Sequence, residues 1–156
     1  RGPRPRPGAP PRRGPQPGPY RTVRSMIDEF DDPAVLAELR AAHERYEAAL
    51  LANDTDTLQA MFWDDERVVR FGHEGSQYGA AAIDRLRRSL PYQTLPRTIR
   101  RLDIVAYGAD AATIALEFIP DGHPNVGRQL QTWIRTAQGW RVAAAHVSWE
   151  GGRAPG

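Results

Sequence analysis

Inward-facing candidates recur from Leu36 at spacings of three and four, through Leu39, His43 and Tyr46 to Leu50. That period lays them along one side of an α-helix. Asp32 is placed to cap its start, and Pro33 suits the first helical position, where a missing N–H costs nothing. Asn53 marks its end. Residues 55 to about 62 read as a short second helix, and residues 80–90 as a third that Pro91 stops. Between them, residues 66–72 read as a strand, with Val68, Arg70 and Gly72 on one face and Val69 and Phe71 on the other. Residues 72–79 hold a turn. The period then changes to two, and residues 98–107, 112–119, 128–136 and 140–149 are four strand candidates rich in Val, Ile, Thr and Trp. Gly108 to Asp110 and Ala137 to Gly139 suit tight hairpin turns, whereas residues 120–127 form a longer loop. Helices first and antiparallel strands last is an α+β pattern. A curved meander with helices on one face encloses a pocket, and chemistry is expected there.

Composition changes this picture at the ends of the chain. Residues 1–20 hold eight of the 14 prolines and four glycines. Such a segment cannot bury enough apolar surface to offset its ordering entropy. We therefore expect a disordered Arg/Pro-rich tail over residues 1–27, one domain over 28–150, and a flexible C-terminus over 151–156. The tail carries seven arginines and no acid, and the remainder carries 14 arginines against 19 acids. The basic balance thus belongs to the tail and is poor evidence that the folded part binds nucleic acid. Cysteine is absent, which excludes disulfides and thiol chemistry. With no apolar run of about 18 residues and no apolar leader, a cytoplasmic protein without a membrane span is expected.

Candidate chemistry clusters on the helix stripe and the strands. Tyr46 sits mid-stripe, and a buried phenol needs a hydrogen-bond partner; it can orient an oxygen, relay a proton, or simply cap a carbonyl in the core. Arg70 interrupts an apolar strand. Facing inward it requires an anion, either an internal carboxylate or a ligand whose carboxylate its planar fork would grip; facing outward it requires nothing. Gln131 and Trp133 alternate on one strand face, the first offering donor and acceptor to a planar amide, the second an apolar wall or plain packing. His43, one turn before Tyr46, is a ligand contact or a satisfied interior histidine. His73 sits in the turn and can rim the pocket. His146 and Ser148 share one face of the last strand, lining either the pocket or a sheet-to-sheet dimer contact. Asp64, Asp65 and Glu66 read as a solvated turn, so no metal site is expected, and no glycine-rich phosphate loop is present.

Several of these residues carry a resemblance. Arg45-Tyr46 through Leu50, Asn53-Asp54, the run Met61 to Asp65, Gly79, Ile83 and Gly139-Trp140-Arg141-Val142 resemble the NTF2-like (SnoaL-like, cystatin-like) superfamily over roughly residues 33–150. The runs Phe71 to Gly75, Gly127 to Trp133 and Ala145 to Ser148 are similar to a narrower AtzH/HpxZ-like branch. The resemblance implies a cone in which a curved antiparallel sheet packs with three helices around a pocket. Set against ketosteroid isomerase without gaps, the oxyanion-hole tyrosine falls on Tyr46, the catalytic aspartate on Arg70 and the protonated aspartate on Gln131. An arginine cannot serve as a base at neutral pH, so steroid-type proton abstraction is not expected.

The branch implies a cofactor-free decarboxylating amidohydrolase acting on a small N-carboxylated urea or ureide. Tyr46 and Arg70 would be its catalytic pair, with Gln131, Trp133, His43, His73, His146 and Ser148 contacting substrate. The alternative is a non-catalytic module that binds a small carboxylate, or dimerises, in ureide or oxalurate catabolism. A homodimer paired through the open sheet face is expected, with Trp140 and Trp149 as material for it. An amidase of the same pathway is a further candidate partner, and nucleic acid is not an expected one.

Overall fold

The computed structural model describes residues 30–91 and 94–152. The tail expected over residues 1–27, and all but Gly151 and Gly152 of the C-terminal segment, lie outside the described residues. Helix α1 spans Pro33–Leu51. The Asp32 side chain accepts from the Ala34 and Val35 amides at 2.8 and 3.2 Å, satisfying two donors that a helix start leaves unpaired. The buried stripe is Val35, Leu39, Ala42, His43, Tyr46 and Ala49. The expected margin residues Leu36 and Leu50 are only partly buried, so the helix is rotated slightly from the stripe read in the sequence.

Helix α2 covers Thr55–Met61, capped by Asp54 onto the Thr57 amide at 3.0 Å, and α3 covers Ala80–Ser89. Leu90 already turns extended ahead of Pro91, whose ring disfavours helical geometry in the residue before it. The strands are β1 Val69–Gly72, β2 Gly75–Tyr78, β3 Arg97–Ala106, β4 Ala111–Pro120, β5 Gly127–Thr136 and β6 Gly139–Trp149. No described helix is long and apolar enough to cross a membrane.

Two expectations are corrected at the start of the sheet. Residues 66 and 67 belong to a turn, because the Asp65 carboxylate takes both the Arg67 amide at 2.9 Å and its guanidinium at 2.8 Å. The turn expected over residues 72–79 contains a second strand, so β1 and β2 form a hairpin through His73 and Glu74. Strand order is β2-β1-β6-β5-β4-β3. The sheet is antiparallel except where β1 lies parallel to β6. That exception follows from connectivity, since α3, β3, β4 and β5 are all threaded between the two strands.

Register decides which side chains share a face. One row across the sheet runs Ile104, Ile114, Gln131, Ala145, Arg70, Gln77. The row beside it runs Asp103, Ala115, Leu130, His146, Phe71, Ser76, and its side chains emerge on the opposite side. The first row looks into the hollow that the helices fill, where Leu39, Tyr46, Leu58, Phe62, Ile83, Ile114, Trp133 and Val142 make one core.

Gly127 is required by packing at one end of that hollow. A Cβ there would fall well inside contact distance of the Phe118 ring, which lies across the strand and meets Trp149 edge-on at 5.3 Å. Gly127→Ala should therefore lower stability by about 1–3 kcal/mol in chemical denaturation, as forced overpacking does. The double change with Phe118→Leu should recover part of the loss.

Candidate functional site

The hollow's floor is built by β5, β6 and β1, and its lid by α1. Tyr46 is 5% exposed and meets Phe62 and Trp133 with ring centroids 6.4 and 6.1 Å away. Its hydroxyl makes no hydrogen bond to another described residue. Trp133 is fully buried and donates its indole N–H to Gln131 Oε1 at 3.1 Å. The sequence reading of Gln131 as both donor and acceptor is thereby narrowed, because its oxygen is already engaged. Its Nε2 is buried without a partner among the described residues, as is that of Gln129, two residues earlier on the same face.

Arg70 faces inward, so the outward alternative is set aside. Its side chain is 16% exposed and finds an internal carboxylate. Nη1 and Nη2 each donate to Glu74 Oε2 at 3.2 Å, and Nη1 also donates to Gln77 Oε1 at 2.9 Å. The Glu74 bonds use the outer fork of the guanidinium, and the Gln77 bond uses the other Nη1–H. The fork formed by Nε–H and the second Nη2–H has no partner among the described residues. Gly72 makes this seat possible, since a Cβ there would lie 2.7 Å from Glu74 Oε2 and 3.0 Å from Arg70 Nη1. Between Arg70 and Gln131 the row holds only the small Ala145, so the two polar residues stand two strand spacings apart, about 10 Å.

A second charged cluster lies at the β3 edge. Arg97, 4% exposed, forms a forked pair with Glu47, 12% exposed, and stacks 4.1 Å over the Phe118 ring centroid. His43 Nε2 is 3.7 Å from Glu47 Oε1 and makes no hydrogen bond. Burial holds the His43 imidazole below its usual pKa; Glu47 works against that shift and Arg97 with it.

The other expected site residues separate. His73 is 41% exposed at the rim, its Nδ1 3.5 Å from Glu74 Oε2. His146 and Ser148 lie on the outer face, lining a shallow depression of about 390 Å³ with Leu130, Arg128 and Arg101. This corrects their placement with the inner site: over the last part of the ladder with β5, Ala145, Val147 and Trp149 look inward and the residues between them look out. Trp140 and Trp149 are corrected in turn, since Trp140 is buried against Glu38 and Trp149 packs on Phe118, and neither supplies the open face. The acidic turn is solvated as read, and hydrogen bonds from Arg67 draw the Asp65 pKa down to about 2.

Sequence reasoning missed Glu74, Gln77, Glu47, Arg97 and Gln129. Only Gln129 carried a signal, the period-two run Gln129, Gln131, Trp133. The others are charged or amide residues in a turn, an edge strand, a helix and a strand start, where such residues are ordinarily solvated.

Helices seated in the hollow of a six-stranded sheet, with polar groups at its floor, define a protein of the NTF2-like, cystatin-like fold. Residues 28–152 match the AtzH-like family model, and the chain belongs to that family. A DUF3225-family protein of unknown function from Pectobacterium atrosepticum is 41% identical, over 79% of this chain and 96% of that one, with a TM-score of 0.76. A cystatin-like fold protein from Burkholderia xenovorans is 38% identical over 78% and 95%, with a TM-score of 0.73. An NTF2-like protein of unknown function from Pseudomonas putida, at 21% identity over 80% and 95% and a TM-score of 0.63, shows the shared fold alone. Comparison with curated proteins gives no match.

Two outcomes follow from the β3-edge cluster. Glu47→Gln leaves the Arg97 charge buried without its counter-ion and should cost about 3–5 kcal/mol by denaturant titration. His43 has a folded pKa below its unfolded value of about 6.5. The unfolded chain therefore binds more protons in that window, and stability should fall as pH drops through 6.5 and below. A His43→Phe variant should show a flatter pH–stability curve over the same range.

Proposed function

We propose that the chain is a small cofactor-independent enzyme of the decarboxylating-amidohydrolase kind, acting on a small N-carboxylated urea or ureide. Membership of the AtzH-like family supports the class of reaction. The observation that carries the reading is the inward Arg70 with an unused fork, one small residue away from Gln131. A substrate carboxylate would take that fork side-on without displacing Glu74. Tyr46, whose ring packs edge-on against the Trp133 that bonds Gln131, would hydrogen-bond the reacting carbonyl or position the attacking water. Gln131 would hold the urea-like group. Breaking a bond beside a carbamate-type nitrogen depends on stabilising charge in a dry site more than on a strong nucleophile, and the apolar wall of Phe62, Trp133 and Ile114 suits that demand.

One observation favours a second reading, a module that binds a small carboxylate without turning it over. Glu74 already neutralises Arg70, and no acid or base bonds to Tyr46 among the described residues. Thermal shift with a panel of small carboxylates and ureides separates the two. Arg70→Ala should abolish the ligand-induced rise in melting temperature under both. Tyr46→Phe should abolish turnover and spare binding under the enzymatic reading alone; normal turnover by that variant would remove Tyr46 from the mechanism.

We further propose a homodimer paired through the outer sheet face. That face exposes Tyr78 at 66%, Leu130 at 52% and Phe71 at 37%, with Phe71 edge-on to both Tyr78 and His146. Ion pairs Arg101–Asp103 and Arg128–Glu117 fringe it, giving both signs of charge for a self-complementary contact. Leu130→Glu should yield a folded monomer by light scattering, whereas an unchanged mass would place the contact elsewhere.

A further inference from the structure

We infer that Trp133 is a positioning residue that locks the Gln131 amide, so that the pocket reads a hydrogen-bond acceptor and rejects a donor of the same shape. The inference rests on the proposed small-carboxylate site and specifies what the rest of the ligand must present. An indole nitrogen can only donate. The Gln131 atom that faces it at 3.1 Å is therefore the carbonyl oxygen, and the amide orientation follows from chemistry. Trp133 cannot turn away to release it. Its ring is fully buried in the main core and is held edge-on by Tyr46 at an interplanar angle of 77°. Flipping the amide would set two N–H groups against each other in a buried site. The loss of one buried hydrogen bond disfavours that arrangement by roughly tenfold to a hundredfold.

The locked amide leaves Nε2 as the group Gln131 can offer, and that nitrogen is buried without a partner among the described residues. Gln131 is 1% exposed, so bulk water does not satisfy it. Gln129, 4% exposed on the same face, presents a second unpartnered Nε2. The unused fork of Arg70 supplies only donors. The floor of the hollow thus offers N–H groups from three side chains on two strands. The ligand that fits carries a carboxylate for Arg70 and a carbonyl oxygen for the glutamines. A ligand with an amidinium in place of that carbonyl would bring N–H against N–H, leaving donors on both sides desolvated and unpaired, which is how a buried site rejects an isostere.

N-carbamoylglycine and guanidinoacetate form the matched pair that tests this, since they share a carboxylate and differ in a urea oxygen against an amidinium N–H₂. Dissociation constants for both are measured by calorimetry on the full chain, its Trp133→Phe and Gln131→Glu variants, and an Arg70→Ala control. The wild type should favour N-carbamoylglycine by at least about tenfold. Trp133→Phe frees the amide to turn and should shrink that ratio toward one. Gln131→Glu replaces the donor by an acceptor while still satisfying the indole, and should invert the ratio; it serves alone if the tryptophan variant does not fold. The wild-type indole N–H should also exchange slowly with solvent by NMR and lose that protection in Gln131→Leu. Arg70-dependent binding of N-carbamoylglycine with a ratio unmoved in both variants overturns the amide lock and leaves the proposed function standing. Failure of both probes to bind overturns the two together.

Discussion

The pairing of β1 alongside β6 sets the whole site. It is the one parallel pairing between strands among the described residues, and it spans Val69 to Phe71 against Ala144 to His146. Because side chains alternate with a period of two, a slip of one residue would turn Arg70 out to solvent and drive Phe71 into the hollow. The correct register places Arg70 in line with Ala145 and Gln131, and simultaneously delivers Phe71 to the outer face beside His146 and Leu130. The inner chemistry and the candidate subunit contact are therefore two sides of one pairing.

Holding charged groups inside this hollow requires that each be accompanied. Arg70 has Glu74 and Gln77, and Arg97 has Glu47 and the Phe118 face. Such pairs contribute little net stability, because desolvation offsets much of their attraction. Their effect is positional. A guanidinium clasped on one edge keeps its remaining N–H groups in a fixed direction. Trp133 does the same for Gln131 with a neutral bond. The hollow is in this sense lined by donors aimed in advance, with the apolar faces of the helices packed beside them.

The elements themselves were legible in the sequence wherever one periodicity held for long enough. Helix α1, its Asp32 cap and the four long strands follow from spacings of three and four, then of two. The failures are equally specific. The β2 segment reads Gly-Ser-Gln-Tyr, short and polar, and an edge strand with one neighbour need not carry an alternating apolar face. The early start assumed for β1 ignored the grip of Asp65 on its own neighbour Arg67. For the site, Tyr46, Arg70, Gln131 and Trp133 were nameable from pattern and resemblance, and the fold collects all four around one hollow. His146 and Ser148 were nameable too, yet the hairpin register sends them to the opposite face.

The amino-acid sequence by itself determined the α+β class, the family, and which residues were unusual for their local surroundings, because those properties depend on neighbours a few positions away. Only the tertiary structure decided which anion Arg70 holds, that Glu47 and Arg97 meet across 50 positions, and which end of the Gln131 amide is free. Each of these is a relation between side chains whose approach is fixed by strand register and helix seating. A linear pattern carries the period of a strand, but the partner opposite any residue is set by where the chain returns.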